Sequence, residues 1–183
     1  MINEVGIEAF TMRELARRLG VSHAAPYRHY PDKRALLTAL AVEAGHLLAD
    51  RLERALVEAG EDRRARFLAA AYAYVRFSLD EPAYFKTLFL SSDIDAEAPE
   101  MVQARQRTLG LLYGYIADAQ LEGYFRQGDP NAWAAAVWAM HQGLAVLAGT
   151  GALGKLGFGD VRTVSDVVHG ALLDGLVADP RRS

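Results

Sequence analysis

The sequence contains no cysteine. Disulfide scaffolds, thiolate zinc sites, iron–sulfur clusters and cysteine nucleophiles are therefore excluded. Proline is scarce, at six residues, and no stretch alternates apolar and polar residues as a strand does, so an all-α fold is predicted. The five histidines are scattered without metal-ligand spacing. There is no nucleophile elbow, and no glycine-rich loop follows a strand. Neither catalysis, a metal nor a cofactor is expected. The net charge is −3, which gives no global nucleic-acid signature, so any such function rests on a local patch. The opening Met-Ile-Asn-Glu-Val-Gly is neither basic nor apolar enough for a signal peptide, which predicts a cytoplasmic protein. The apolar run from Ala132 to Gly149 is broken by His141 and Gln142 and lacks basic anchors. It reads as a helix buried by protein, with no membrane as partner.

What is present is apolar surface: 51% of the 183 residues are hydrophobic, enough for a sizeable core and too much for a disordered chain. Residues 1–5 form one helical turn ended by Gly6. Thr11 and Glu14 make a capping box that starts a helix at Met12, pinned to a core by Leu15, Ala16 and Leu19 and stopped by Gly20. Ser22 caps a second helix, His23 to Tyr30, with Pro26 in its first turn. Asp32 caps a long leucine-striped helix from Lys33 to about Ala59. Asp62 caps another, Arg63 to Leu79, and a short aromatic helix spans Pro82 to Leu90. Residues 91–100, with Asp93, Asp95, Glu97 and Glu100, lack calcium-loop spacing and read as a solvated acidic turn. Helices follow at about Pro99–Glu122, from Pro130 behind the Asp129 cap, and at about Val161–Val177. The five glycines between 149 and 159 predict a loop.

Two short helices joined through Gly20, with the small Ala16 four residues earlier, reproduce helix-turn-helix spacing. In that motif the second helix enters the major groove. Charge agrees. Residues 11–40 hold six cations (Arg13, Arg17, Arg18, Arg28, Lys33, Arg34) against two anions (Glu14, Asp32), a net +4. The whole chain is −3, so the remainder carries −7. Concentrated positive charge beside a reading helix is the footprint of phosphate binding.

The run Thr11-Met-Arg-Glu-Leu-Ala-Arg-Arg-Leu-Gly-Val-Ser-His-Ala-Ala-Pro-Tyr-Arg-His-Tyr-Pro-Asp-Lys33, followed by Arg-Ala-Leu-Leu, resembles the DNA-binding region of TetR-type transcriptional regulators. The resemblance implies an all-helical homodimer, with a helix-turn-helix head at 1–40 and a ligand-binding and dimerisation domain at 41–183. By position, Tyr27, His29 and Lys33 would hold phosphate, and His23, Ala24, Ala25 and Arg28 would lie nearest the bases. Histidine and two alanines offer little bidentate hydrogen bonding, so base readout should be modest. The family has a full first helix behind a basic arm, and only its last turn precedes Gly6 here. This departure predicts exposed apolar groups around Leu15 and Leu19, a shortened start, and weak DNA binding by the sequence as it stands.

The helix from Pro130 carries a large apolar stripe (Trp133, Val137, Met140, Leu144, Leu147). A small stripe (Ala132, Ala135, Ala139, Gly143) permits close backbone approach. Trp138-x-x-His141-x-Gly143 resembles a TetR subgroup marked by Trp, His and Gly. The family's last two helices pair with their symmetry mates, and the apolar residues between 164 and 176 would suit such an isologous contact or a dock on their own subunit. Tyr72, Phe77, Phe85, Phe89, Tyr113, Trp138 and His141 are the expected lining of an apolar effector pocket. The predicted function is a repressor released from its double-stranded operator by a small hydrophobic effector. A carrier or dimerisation module with an aromatic pocket and no DNA binding is the alternative; it needs no cationic head.

Overall fold

The computed structural model describes residues 1–178, in which helices follow one another without a sheet. They are α1 (Ile2–Val5), α2 (Met12–Leu19), a 3-10 turn (Pro26–Arg28), α3 (Lys33–Glu58), α4 (Arg63–Asp80), α5 (Pro82–Leu90), α6 (Pro99–Leu121), α7 (Pro130–Gly149), α8 (Ala152–Lys155) and α9 (Val161–Leu176). Four of the predicted caps are made, and the one expected at Ser22 is not, since the 3-10 turn that follows has no side-chain cap. Backbone N–H groups donate to the side chains of Thr11, Asp32, Asp62 and Asp129 at 2.6–3.1 Å, satisfying donors that a helix start leaves without partners.

Two expected elements differ. In place of an α-helix, residues 23–30 form a turn and one 3-10 turn. Pro26 has no N–H to return to the Ser22 carbonyl, and the Ala25 N–H takes that acceptor at 2.9 Å. This shifts the segment to the tighter i→i+3 pattern. The glycine-rich stretch is not loop throughout, since it holds the single-turn α8, whose Leu153 is buried against Val75, Leu144 and Ala148.

The described chain forms two compact units. One comprises residues 1–47 and 81–106. Its core is Ile2, Ile7, Phe10 and Leu37, with Leu15, Leu36, Leu40, Ala83 and Ile94 packed around it. Within this unit α3 and α6 cross closely at Gly45, where a Cβ would stand 3.0 Å from that of Ala104. The other unit comprises residues 48–80 and, among the described residues, 107–178. Phe67, Ile116, Ala119, Phe125, Ala134, Val137, Leu173 and Leu176 make its main cluster, drawn from α4, α6, α7, α9 and the segment after α6. Arg63 binds Glu122, and Arg107 reaches Asp50 at 2.6 Å and Glu53 at 2.7 Å. Among the described residues no helix is long and apolar enough to cross a membrane.

Candidate nucleic-acid interface and ligand pocket

The head is built from α2 outward. Met12 and Ala16 are the buried residues of α2. Leu19, expected to pin the helix, is 64% exposed, while Leu15 is half-buried. Gly20 takes φ 67°, and its neighbour Val21 returns an N–H to the Ala16 carbonyl at 3.1 Å. The left-handed residue that this turn requires is glycine for steric reasons. Only half of the capping box forms. Thr11 accepts from the Glu14 N–H, but the Glu14 carboxylate turns to Arg17 at 2.7 Å and Arg18 at 2.9 Å. Those guanidinium groups hold the Glu14 carboxyl down at about 2.

Buried Pro26 anchors the following turn. His23, Ala24, Tyr27, Arg28 and His29 are exposed beside it, Tyr27 by 52%, and Ala25 is half-buried. The cations are unequal. Arg18 is shared between Glu4 and Glu14. Lys33, the first residue of α3, places its ammonium 2.9 Å from Asp93, and Arg34 lies 3.4 Å from Asp95. Among the described residues Arg13 and Arg28 make no ion pair. The acidic segment is a turn with largely exposed carboxylates, as expected, and two of them, Asp93 and Asp95, also face the start of α3. A groove of about 530 Å³ opens here, lined by Asp32, Arg34, Thr38, Val42, Asp95 and Glu100 among others, and by none of the expected pocket aromatics.

Those aromatics divide between the units. Phe85 and Phe89 belong to the first, with ring centroids 5.1 Å apart. The other five belong to the second. There Phe77 is fully buried beneath the Arg51 guanidinium, 5.6 Å from its ring centroid. Tyr72 lies under Arg162 at 4.5 Å. Tyr113 is 39% exposed and Trp138 40%.

His141 is the centre of a sealed group that apolar patterning passes over. Its ring lies 4.8 Å from that of His169, 5.6 Å from Tyr74 and 6.1 Å from Phe67. His169 Nδ1 is 2.9 Å from Ser165 Oγ, and the Tyr74 hydroxyl donates to Gln142 Oε1 at 2.6 Å. The Nε2 atoms of both histidines are buried without a hydrogen-bond partner. Burial holds His141 down at about 3, helped by its histidine neighbour. Burial holds His169 at about 4, against an opposing hydrogen bond to the Ser165 backbone and the charge of Asp166. Both rings are thus neutral near pH 7, and burial pushes the Tyr74 phenol up. The Ser165–His169 spacing of one helical turn is present in the sequence, but apolar periodicity does not select polar residues on a buried face. Among the described residues no group of three or more His, Asp or Glu is arranged to hold a metal ion.

The family described as "Bacterial regulatory proteins, tetR family" matches residues 1–40, and "Tetracyclin repressor-like, C-terminal domain" matches residues 67–172. The chain belongs to the TetR family. It is 42% identical over 74 residues to the class A tetracycline repressor protein from transposon 1721 of Escherichia coli, covering 40% of this chain and 33% of that one. The chain thus spans about a third of the length of this curated relative. Among solved structures, a protein of unknown function from Rhodococcus sp. RHA1 is 34% identical with a TM-score of 0.83, covering 97% of this chain and 90% of the other. A bacterial regulatory protein of the tetR family from Rhodococcus RHA1 shares the fold at 23% identity, with a TM-score of 0.76 and coverage of 97% and 92%. The two matches cover the helix-turn-helix region at 1–40 and a helical region at 67–172, which takes in residues of both compact units.

Proposed function

We propose that this TetR-family chain is a DNA-binding repressor, released from its operator by a small apolar effector. The observation that carries the reading is the exposure of His23, Tyr27, Arg28 and His29 on one short turn, with Arg28 in no ion pair among the described residues. Cations left facing solvent beside a helix-turn-helix are placed to exchange counterions with phosphates. Tyr27, His29 and Lys33, the last at the start of α3, hold phosphate, and His23, Ala24, Ala25 and Arg28 lie nearest the bases.

The test is binding of the full chain to DNA fragments selected from a random pool. Replacing both Arg28 and Lys33 with Ala is expected to weaken binding roughly tenfold or more. The salt dependence should flatten by about 0.9 in slope for each phosphate no longer neutralised. A carrier without DNA binding would show no retained fragments and no response to these changes.

A palindromic selected site would support a homodimer. The surface favours one. On α7 the small stripe Ala132, Ala135, Ala139 and Gly143 is exposed, flanked by Met140 and Leu147, and Val167 is exposed on α9. Close-packing small residues at a self-complementary face suit an isologous contact. Leu147→Glu places a charge in that contact twice and should yield monomers by sedimentation equilibrium, with the melting temperature little changed. A dimer that persists in this variant moves the interface elsewhere.

The effector reading rests on the second unit, where His141, Tyr74, Phe67 and His169 gather polar groups in an apolar surround. Such composition suits a mostly hydrophobic ligand with a hydrogen-bonding group. No catalytic arrangement is part of this reading.

A further inference from the structure

The phosphate-binding role proposed for Lys33 meets a competitor within the same unit. The Lys33 ammonium lies 2.9 Å from Asp93 Oδ2, and Arg34 lies 3.4 Å from Asp95 Oδ1. These are the first two residues of α3. The loop that supplies the carboxylates is held in place rather than left to wander. The Asp95 N–H donates to Thr38 Oγ1 at 2.8 Å, and the Thr38 hydroxyl donates in turn to the Arg34 carbonyl at 2.8 Å. Arg105 donates to the Ala96 carbonyl at 3.2 Å, and Ile94 packs against the cluster of Ile2, Ile7, Phe10 and Leu37. Local bonds from the Asp93 N–H to Ser91 Oγ and from the Glu97 N–H to Asp95 Oδ1 shape the turn.

We propose that residues 91–98 form an autoinhibitory clamp, in which the Asp93 carboxylate occupies the position at Lys33 that a DNA phosphate would take, with Asp95 acting likewise on Arg34. This rests on the DNA-binding reading. A carboxylate and a phosphate oxygen offer the same ammonium the same charge-assisted hydrogen bond. DNA therefore gains less from Lys33 than from an uncommitted lysine, because it must displace an anion already there. Fewer counterions are released for the same contact, which lowers both affinity and salt dependence. The clamp lies in the connection between α5 and α6, so any rearrangement of that connection alters how much of the Lys33 charge reaches DNA. Affinity is thereby adjustable without moving the reading turn itself.

The experiment measures binding of the full chain and its Asp93→Asn variant to a random-sequence duplex, between about 50 and 200 mM salt. Asp93→Asn is expected to bind about three- to tenfold tighter at the low end, with the slope of log affinity against log salt steeper by about 0.9 per clamp opened. Glu97→Gln makes the same charge change in the same loop without touching a cation, and should have a smaller effect. In a Lys33→Gln background the gain from Asp93→Asn should vanish. Asp93→Ser gives a second measure should the asparagine variant fold poorly. Unchanged affinity and slope overturn the clamp, as does an equal gain in the Lys33→Gln background, which would assign the effect to diffuse charge. Weaker binding by Asp93→Asn also overturns it, since Asp93 would then be positioning Lys33 for DNA. If the unaltered chain fails to retain any duplex at low salt, it is the DNA-binding reading that falls.

Discussion

Lowering the pH from about 7.5 to about 5 is expected to reduce the stability of the second unit by about 4 kcal/mol. The source is the pair His141 and His169, held by burial at about 3 and about 4. An unfolded histidine takes up a proton near 6.5, whereas these two stay neutral in the fold. The unfolded chain therefore binds more protons at every pH between those limits, and stability rises with pH through that window. The full contribution is present above about 6.5 and is lost progressively as pH falls toward the folded values, at about 2 kcal/mol per ring by pH 5. The ion-paired carboxylates act lower on the scale. Glu14 sits at about 2, and the Arg63 guanidinium holds Glu122 below the usual 4.5. Their contributions are present above the unfolded carboxylate range and fade only as pH falls through it. Thermal melts across this range should show the loss, and a variant with both histidines replaced by glutamine should show a flatter profile. A melting temperature independent of pH between about 7.5 and about 5 would mean that water reaches the two rings.

The same pair marks the limit of what sequence periodicity discloses. Helix starts are legible because a cap is a local event. Thr11, Asp32, Asp62 and Asp129 each accept from an N–H two or three residues on, and that spacing is written in the chain. The turn after α2 is legible for the same reason, since Gly20 takes the left-handed φ of 67° and Ala16 accepts the Val21 N–H. Pro26 reads from the sequence as a loss confined to a first turn, yet the Ser22 carbonyl finds another donor and the segment tightens to 3-10 geometry. On α9 an apolar count selects Val164, Val167, Val168, Ala171, Leu172 and Leu176. The structure buries Ser165, His169, Gly170, Leu173 and Leu176. Inside the fold Ser165 Oγ pairs with His169 Nδ1 at 2.9 Å, a pairing that hydrophobicity scales do not register. The Lys33–Asp93 contact is out of reach for a different reason: it joins residues far apart in the chain, and nothing in the composition of either segment selects the partner.

Phe77→Ala should cost about 3–5 kcal/mol, a large fraction of the stability of an ordinary domain. The sequence casts Phe77 as the lining of an effector pocket, and that role makes a different demand of the side chain from the one its surroundings impose. It is among the largest fully buried side chains of the described residues, on the buried face of α4, with the Arg51 guanidinium over its ring. Truncation there removes a whole aromatic ring from a close-packed interior, and the cost combines lost transfer energy with the cavity left behind. A residue facing an open pocket loses far less, since its ring already has a solvent-accessible side. Tyr113, 39% exposed, supplies the comparison, and Tyr113→Ala should cost under about 1 kcal/mol. Denaturant melts of the two variants separate the roles. A Phe77→Ala cost near that of Tyr113→Ala would place Phe77 at a cavity wall, and an apolar ligand should then restore the lost stability by occupying the space. A cost in the full range makes Phe77 a support of the unit's interior. The search for effector contacts then narrows to the neighbourhood of His141, where buried polar atoms still lack partners.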